Sequence, residues 1–299
     1  ILWRDRIYLT GFRDTSLVTF AIDRAKGTIV WERQAPEVKP VVVEKRNNPA
    51  SPSPAVDDTG VYVFFPDYGM IAYDLAGKER WKMPLGPFNN IYGMGASPLV
   101  VGDVIVLPCD QSIGSFLLAV DKRTGKEIWR VKRDEVENWA TPFIWENELR
   151  TEIVTSGLRK VRSYDLNGKE LWELSGMTVN VTPTPFASHG LVFINSGYPG
   201  ASPRPVYAIR PGASGDISLK PDQTSNEFVV WYQPLLGTYN TSSLVYGDIY
   251  YTLLDRGFLL AHDVKRGKQV YGRQRISAEA AGFTSSPWAY NGKIFLLSE

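Results

Sequence analysis

The sequence predicts an all-β fold, a β-propeller of four-stranded antiparallel blades, and three observations lead to this prediction. A short hairpin motif that runs from an Asp to a Trp recurs along the chain. A Ser/Thr-Pro step recurs at intervals of 44, 44 and 43 residues. No segment of about twelve or more residues shows a convincing helical period. Four short strands in each repeat of about 43 residues are typical of propeller blades.

The hairpin motif is clearest at 116–129, where an apolar run ends in Asp121 and a turn containing Gly125 leads to Trp129. Such a turn joins two antiparallel strands, and Gly125 can adopt the positive φ that other residues avoid. The Asp carboxylate can accept hydrogen bonds from the amides of its own turn. Because one hairpin cannot bury its own apolar face, the copies should stack. The structural turn residues are Asp23, Asp74, Asp121, Asp165 and Asp263, which pair with Trp31, Trp81, Trp129, Trp172 and Tyr271.

The second signal is a Ser or Thr followed by Pro at the start of a short apolar strand. Proline at the first residue of a strand removes no hydrogen bond from the sheet. A turn and a second, aliphatic-aromatic strand follow most copies, as at 56–65 and 101–109. Each period therefore contains four strands. The five steps begin at Ser53, Ser97, Thr141, Thr184 and Ser286.

The repeats predict a single propeller domain over residues 1–299, truncated at both ends, from a parent ring of seven or eight blades. Residues 1–34 should supply three strands of an earlier blade, and residues 283–299 two strands of a later one. The five complete blades lie at about 51–86, 93–133, 139–176, 182–237 and 241–277.

The blade at 182–237 departs from the pattern. Arg210 stands where the motif has Asp, and a polar insertion occupies 211–226 before the strand that ends at Trp231. Long surface loops cost little free energy, so a tolerated insertion is favoured over a specific role.

The composition excludes several classes of function. The chain has 299 residues and a formal charge of +1, so neither a nucleic-acid partner nor attraction to an anionic membrane is expected. No apolar run approaches the roughly 18 residues of a transmembrane segment. Cys109 is the sole cysteine, and His189 and His262 are the two histidines, which leaves no material for a disulfide or a His/Cys metal site.

The Asp-turn-Trp motif, together with the Ser/Thr-Pro strand opening, resembles the PQQ-like β-propeller repeats. These occur in quinoprotein alcohol dehydrogenases and in the lipoprotein that assists outer-membrane β-barrel assembly. The similarity covers nearly the whole chain, and it implies a periplasmic or secreted protein. It also implies that Trp31, Trp81, Trp129, Trp172, Trp231 and Tyr271 pack between blades. The repeat is structural and does not by itself bring an activity.

Membership among the quinoprotein dehydrogenases would imply PQQ on the propeller axis, with Ca²⁺ held by Glu, Asn and Asp. Glu137 and Asn138 are the candidates for two oxygen ligands. The vicinal cysteines of many such enzymes are missing, since Cys109 has no cysteine neighbour, and there is no CxxCH haem-attachment motif. We therefore assign no catalytic residue and expect no cofactor, with PQQ and Ca²⁺ as the alternative.

A binding role is indicated by the connections that precede the Ser/Thr-Pro strands. They lead to the innermost strands, so they should gather at one mouth of the central channel, where several blades can contact one ligand. An equal alternative is that these residues merely form turns. The candidate ligand- or partner-binding residues are Asn48, Asn90, Tyr92, Glu137, Asn138, Trp139, Asn180, Tyr239 and Asn240.

The sequence therefore favours a non-enzymatic, extracytoplasmic propeller that acts as a binding or protein-assembly module. Its ligand would be a protein, a small molecule or a glycan. A scaffold that adds a partner's strand to an open blade edge is a further interpretation. The alternatives are a PQQ- and Ca²⁺-dependent dehydrogenase and a carbohydrate-binding or carbohydrate-active propeller that uses Trp139 and Tyr239.

Overall fold

The computed structural model describes residues 1–38, 47–280 and 282–299. Within these residues the chain forms strands and turns and no helix, which confirms the predicted all-β class. The same part of the chain therefore offers no helix with the length and hydropathy to cross a membrane. Two compact units are present, Ile1–Glu137 and Asn138–Glu299. The single domain stays a prediction.

The first unit contains three four-stranded antiparallel sheets, each with its strands in chain order. Sheet 1 consists of β1 (Leu2–Trp3), β2 (Arg6–Arg13), β3 (Ser16–Asp23) and β4 (Ile29–Gln34). Sheet 2 consists of β5 (Ala55–Asp57), β6 (Gly60–Phe65), β7 (Gly69–Tyr73) and β8 (Glu79–Pro84). Sheet 3 consists of β9 (Leu99–Val101), β10 (Val104–Cys109), β11 (Phe116–Asp121) and β12 (Glu127–Lys132). Sheet 1 has one strand more than expected, because the two-residue β1 is too short to show a pattern.

The second unit contains three larger sheets and one hairpin. Sheet 4 consists of β13 (Phe143–Glu146), β14 (Thr151–Thr155), β15 (Val161–Tyr164) and β16 (Glu170–Leu174), with β20 (Gly215–Asp216) parallel to β16. Sheet 5 consists of β17 (Phe186–Ser188), β18 (Leu191–Asn195), β19 (Val206–Ile209) and β21 (Val229–Gln233). Sheet 6 consists of β22 (Leu244–Tyr246), β23 (Ile249–Leu254), β24 (Phe258–Asp263) and β25 (Gln269–Arg275). Sheet 7 is the hairpin of β26 (Trp288–Tyr290) and β27 (Lys293–Phe295).

The cores lie between successive sheets of a unit. Trp31 of sheet 1 shares one cluster with Val61 and Phe65 of sheet 2. The residues of β6 that point to the opposite face, such as Phe64, belong to a second cluster with side chains of sheet 3. All residues of β6 are buried for this reason. Sheet 2 therefore buries its two faces against sheets 1 and 3, as stacked repeats do.

The motif Asp side chains hold their own turns. Asp121 Oδ1 accepts hydrogen bonds from the backbone N–H groups of Arg123 and Thr124, at 3.0 and 2.8 Å. The Thr124 hydroxyl also donates to it, and this bond is the main cause of a lowered Asp121 pKa. The other four accept from their turn amides in the same way, namely Asp23, Asp74, Asp165 and Asp263.

The motif Trp residues contact the turn of the following sheet. The indole N–H of Trp81 donates to the Lys122 carbonyl at 2.9 Å, one residue after the turn Asp. A Cβ on Gly125, whose φ is +70°, would lie 2.5 Å from the Trp81 ring. Trp31 and Trp231 repeat the indole hydrogen bond at 3.1 and 3.0 Å and face a turn glycine in the same way. Trp129 and Tyr271 differ, because both are only half-buried.

Trp172 has another partner, because sheet 5 lacks the Asp turn. Its indole N–H donates to the Glu152 carboxylate at 2.7 Å. The insertion that replaces the turn passes over the edge of β16, where Trp172 pairs with Gly215. The Ile217 side chain of the insertion is buried in the same core. The segment expected as a tolerated surface loop thus covers the edge of sheet 4.

Candidate functional site

Three connections share one end of each four-stranded antiparallel sheet, because successive strands reverse direction. They are the segment before the first strand, the turn between the second and third strands, and the segment after the fourth. We call this the leading end of the sheet. Every candidate binding residue precedes a first strand and therefore lies at a leading end. In sheet 2 the three connections are 47–54, 66–68 and 85–94.

The leading end of sheet 2 holds a groove of about 380 Å³. This volume is in the range of ligand pockets, which are concave and mostly apolar. Two candidate residues, Asn48 and Asn90, are part of its wall. Most of the remaining lining is apolar or aromatic and includes Pro49, Pro66, Tyr68, Pro84, Pro87 and Phe88. The groove therefore combines a largely apolar wall with two side-chain amides and the carboxylate of Asp67.

The groove wall is held by the sheet beneath it. The backbone N–H of Leu85 donates to the Tyr68 carbonyl at 3.0 Å, which joins two of the connections. The Phe88 ring packs edge-on against the buried Phe64 ring, with 5.7 Å between centroids. These contacts fix the shape of the groove before any ligand binds, which lowers the entropy cost of binding.

The Asn side chains of the groove also support its turns. Asn48 Oδ1 accepts from the Ala50 N–H at 2.8 Å, and Asn90 Oδ1 accepts from the Tyr92 N–H at 3.2 Å. Tyr92 itself does not line the groove. Asn48 and Asn90 therefore hold their turns and also line the groove, and their binding role stays a prediction.

The leading end of sheet 3 exposes apolar side chains beside polar ones that are tied down. Asp110 and Arg133 form a buried, two-pronged ion pair with distances of 2.8 and 3.0 Å. Ile91 and Ile113 lie on connections at this end, with 67% and 80% of their surface exposed. Exposed aliphatic side chains of this size on a rigid frame are typical of an interaction surface.

The proposed calcium ligands already accept hydrogen bonds within the chain. Glu137 Oε1 accepts a hydrogen bond from the Ser112 hydroxyl at 2.5 Å. Asn138 is buried, and its Oδ1 accepts from the Ala140 N–H at 3.3 Å. Across the described ranges, no three His, Cys, Asp or Glu side chains are grouped so as to hold a metal ion.

Cys109 is not suited to act as a catalytic nucleophile. Its side chain is fully buried in β10. Burial raises the pKa of the thiol well above its usual value, so the nucleophilic thiolate is not formed at neutral pH.

The candidate aromatic residues of the second unit are half-buried. The backbone N–H of Trp139 donates to the Val181 carbonyl at 2.9 Å. The Tyr239 ring packs edge-on against Tyr198, with 5.2 Å between centroids and 84° between planes. The structure thus brings Tyr239 together with Tyr198, which the sequence analysis did not consider.

The structure shows the two remaining candidates, Asn180 and Asn240, through the backbone conformation and hydrogen bonding of their connections. Asn180 has a φ of +55°, a conformation that Asn tolerates better than most residues. The Asn240 N–H donates to the Asp255 carboxylate at 3.3 Å. Burial is the largest effect on that carboxyl group and raises the pKa of Asp255.

Sequence reasoning missed the residues that come from the turns between second and third strands. Pro66 and Tyr68 belong to the turn between β6 and β7, and they line the same groove as Asn48. The alternation of strand direction was the signal that could have placed this turn beside the segment before β5.

Comparison with known proteins gives the same fold. BamB from Moraxella catarrhalis matches with a TM-score of 0.61 at 12% identity, over 98% of this chain and 80% of that chain. A europium-containing methanol dehydrogenase has a TM-score of 0.51 at 11% identity, over 96% of this chain and 78% of that chain. Quinohemoprotein alcohol dehydrogenase from Comamonas testosteroni has a TM-score of 0.50 at 12% identity, over 96% and 67%. These likenesses confirm the predicted β-propeller and show the fold alone.

The sequence itself identifies the family. A search of curated proteins found no match. A family model described as outer membrane protein assembly factor BamB matches residues 14–273, which is most of the chain. The predicted membership among PQQ-like propeller repeats is therefore confirmed, and the chain belongs to the family of outer membrane protein assembly factor BamB.

Proposed function

We propose that the chain is a non-enzymatic, extracytoplasmic propeller that binds other proteins as an assembly module, with a partner at the leading ends of its sheets. The observation that carries this proposal is the largely apolar groove of about 380 Å³ at the leading end of sheet 2, with its two side-chain amides and the Asp67 carboxylate. The description of the family as an outer membrane protein assembly factor supports an extracytoplasmic partner in protein assembly.

The leading ends of the first unit suit a protein partner in particular. Exposed Ile91 and Ile113 extend the apolar surface beyond the groove wall. Burying aliphatic surface of this kind stabilises a protein complex by about 25 cal/mol per Å². Protein binding at this surface needs no titratable group, and the carboxylates Asp110 and Glu137 are already hydrogen-bonded.

We also propose that the chain works without a cofactor. The dehydrogenases share its fold at 11–12% identity, and fold does not carry activity with it. The hydrogen bonds of Glu137 and Asn138 argue against a calcium-held quinone. A glycan ligand has no comparable support, since the Tyr239 ring is half-buried and in T-shaped contact with Tyr198.

Site-specific photo-crosslinking in cells that produce the full chain tests the binding proposal. A photoreactive residue replaces Pro87 or Ile91, which are exposed at the leading end of sheet 2. The matched control is Lys78, which is exposed in the turn at the opposite end of the same sheet. We expect adducts from Pro87 and Ile91, but not from Lys78, that mass spectrometry identifies as components of outer-membrane protein assembly.

Two results would contradict the proposal. One is the same adducts from Lys78 as from Pro87 and Ile91, or no adducts from either Pro87 or Ile91. The other is alcohol-dependent dye reduction by the purified chain after addition of PQQ and Ca²⁺, which would establish the dehydrogenase alternative.

A further inference from the structure

We propose that the outer edge of sheet 6 is a second docking surface, which binds an extended acidic protein segment as an added strand. Strand β25 pairs with β24 on one side, and no strand of the described residues pairs with its other side. That side carries the backbone N–H and C=O groups on which a partner strand can be added. This surface adjoins the leading end of sheet 6, because Arg275 is the last residue of β25. It is separate from the groove of sheet 2 and does not depend on the function proposed for that groove.

Positive charge is concentrated on this sheet. Residues 244–275 contain six Lys and Arg and three Asp, a net charge of +3 in a chain whose formal net charge is +1. The described acidic side chains form no ion pair with any of the six, although ion pairs are common elsewhere in the chain. The six exposed basic residues are Arg256, Lys265, Arg266, Lys268, Arg273 and Arg275.

Two of these basic side chains are held in place on the open strand itself. The guanidinium carbons of Arg273 and Arg275 lie 4.6 and 5.3 Å from the centroid of the Phe258 ring. Residues two apart on a strand share a face, so both guanidinium groups stand over the same ring. Stacking on an aromatic ring orients the planar group. The Arg275 Nε–H donates to the Ser277 carbonyl at 3.2 Å, and the terminal N–H groups of both side chains stay available for a carboxylate.

Strand β12, the outer strand of sheet 3, shows by comparison that the stacked Arg side chains of β25 are unusual in having no ion-pair partner among the described residues. In β12, Arg130 lies 4.2 Å from the centroid of the Phe116 ring, and its guanidinium group is paired with Glu127 at 2.7 Å. The same stacking therefore occurs there with the charge neutralised within the strand. On β25 the sequence from Gln269 to Arg275 supplies no acidic residue for this purpose.

The charge of the edge also selects its partner. Charged residues on an edge strand prevent association with identical edges, since like charges repel. A second copy of β25 is excluded in this way, whereas a strand with carboxylates opposite Arg273 and Arg275 is attracted. The occupant that fits is thus an extended segment in which Glu or Asp alternates with apolar residues.

The edge of sheet 4 provides an internal precedent for such an addition. Its outer strand β16 contains Glu170 and Glu173, and the two-residue strand β20 lies parallel along it. The Glu173 carboxylate is paired with Lys160. An outer edge of this fold therefore accommodates an additional strand.

A labelled synthetic peptide tests the inference on the full chain. The probe is an extended peptide of about ten residues in which Glu alternates with Val and Thr, followed by fluorescence anisotropy at low salt. We expect the double variant R273Q/R275Q to bind it at least about tenfold more weakly, since hydrogen bonds to charged groups are the strong ones. The matched control R130Q should leave the affinity unchanged. Unaltered thermal midpoints would show that both variants are folded.

Four further probes decide between an added strand and a general basic patch. The peptide with Gln in place of Glu should not bind, and the Glu peptide with N-methylated backbone amides should bind weakly. The inference is overturned if the N-methylated peptide binds as well as the parent peptide. It is also overturned if vesicles containing phosphatidylglycerol or single-stranded RNA, but not the peptide, bind in a way that needs Arg273 and Arg275. None of these outcomes changes the crosslinks expected at Pro87 and Ile91.

Discussion

Glu152 illustrates how single residues are constrained where the repeat pattern is interrupted. Its side chain is fully buried in β14 and accepts four hydrogen bonds. Trp172 and the Ser163 hydroxyl donate to Oε2 at 2.7 and 2.5 Å. Arg150 and Asn147 donate to Oε1 at 2.9 and 3.1 Å. A buried carboxylate is tolerated when every acceptor position is used in this way.

Replacing Glu152 by Gln tests this role. The new NH₂ group would face two donors, so the variant loses hydrogen bonds to a charged group and leaves buried donors unpaired. We expect a loss of about 2–3 kcal/mol in the free energy of unfolding, measured by denaturant titration.

The control is Glu173→Gln in the same sheet. Glu173 pairs with Lys160 near the surface, where an ion pair contributes about 1 kcal/mol or less. Equal losses in the two variants would show that the Glu152 hydrogen bonds are not specific.

At the scale of the structural element, the turn between third and fourth strands acts as a socket for the Trp of the preceding sheet. The Asp carboxylate accepts hydrogen bonds from the amides of its turn. The Trp indole N–H donates to the backbone carbonyl of the residue after the Asp, and the glycine leaves room for the indole ring. The three residue types therefore recur together because each is needed for one contact between sheets. The insertion at 211–226 does not form this turn. The indole N–H of Trp172 donates instead to the buried Glu152 carboxylate.

Gly125→Ala tests the fit of the socket. The new methyl group would lie 2.5 Å from the Trp81 ring, in a turn with a φ of +70°. Strain of the left-handed backbone costs about 1–2 kcal/mol, and overpacking adds about 1–3 kcal/mol.

Gly102→Ala is the matched control in the same sheet. Its φ is +54°, and a Cβ there would meet nothing within 4 Å, so the backbone strain alone applies. Denaturant unfolding should show a clearly larger loss for Gly125→Ala than for Gly102→Ala. A loss that is the same for both would mean that the indole is not packed on the turn.

The dependence of stability on pH belongs to the whole molecule, because unfolding exposes all titratable groups together. His262 is buried in sheet 6, and its Nδ1 has no hydrogen-bond partner within the described chain. Burial lowers the pKa of His262 from its ordinary value of 6.5. The turn carboxylates Asp23 and Asp121 also have lowered pKa values, through hydrogen bonds from their turns.

The two kinds of group act in different pH windows. Unfolded His262 takes up a proton near pH 6.5 and folded His262 does so at lower pH, so the free energy of unfolding falls as the pH drops below about 6.5. The turn Asp residues stabilise the fold above about pH 4, and that contribution is lost as the pH falls through their lowered folded-state pKa values.

We therefore expect the free energy of unfolding to decrease between pH 7 and pH 5, with a slope of up to one proton that comes from His262. Denaturant titrations at several pH values measure this slope. In His262→Gln the contribution of this residue should be absent. An unchanged slope in that variant would assign the effect to other groups.

The local parts of the fold could be read from the sequence because their causes are local. Asp121, Gly125 and Trp129 lie within one hairpin, and the recurrence of their spacing predicts both the turn and the four-stranded period. The same spacing does not give burial. Trp129 is half-buried while Trp81 is buried, although the two motifs are nearly identical.

The candidate site depended on contacts between distant segments. Asn48 and Asn90 were predicted, but the groove that they share with Tyr68 and Phe88 exists because three connections meet at one end of sheet 2. Sequence order alone does not say which connections meet.

The sequence by itself determined the all-β class, the repeat and the turns that hold it, since each follows from hydrogen bonds and φ preferences within a few residues. Only the tertiary structure decided that Glu152 replaces a turn as the partner of Trp172, and that Arg273 and Arg275 stand on an open edge without an ion pair to any described carboxylate. The physical reason is the same in both cases. Whether a charge is neutralised depends on which side chains folding brings within hydrogen-bond distance, and the spacing of residues along the chain does not specify that.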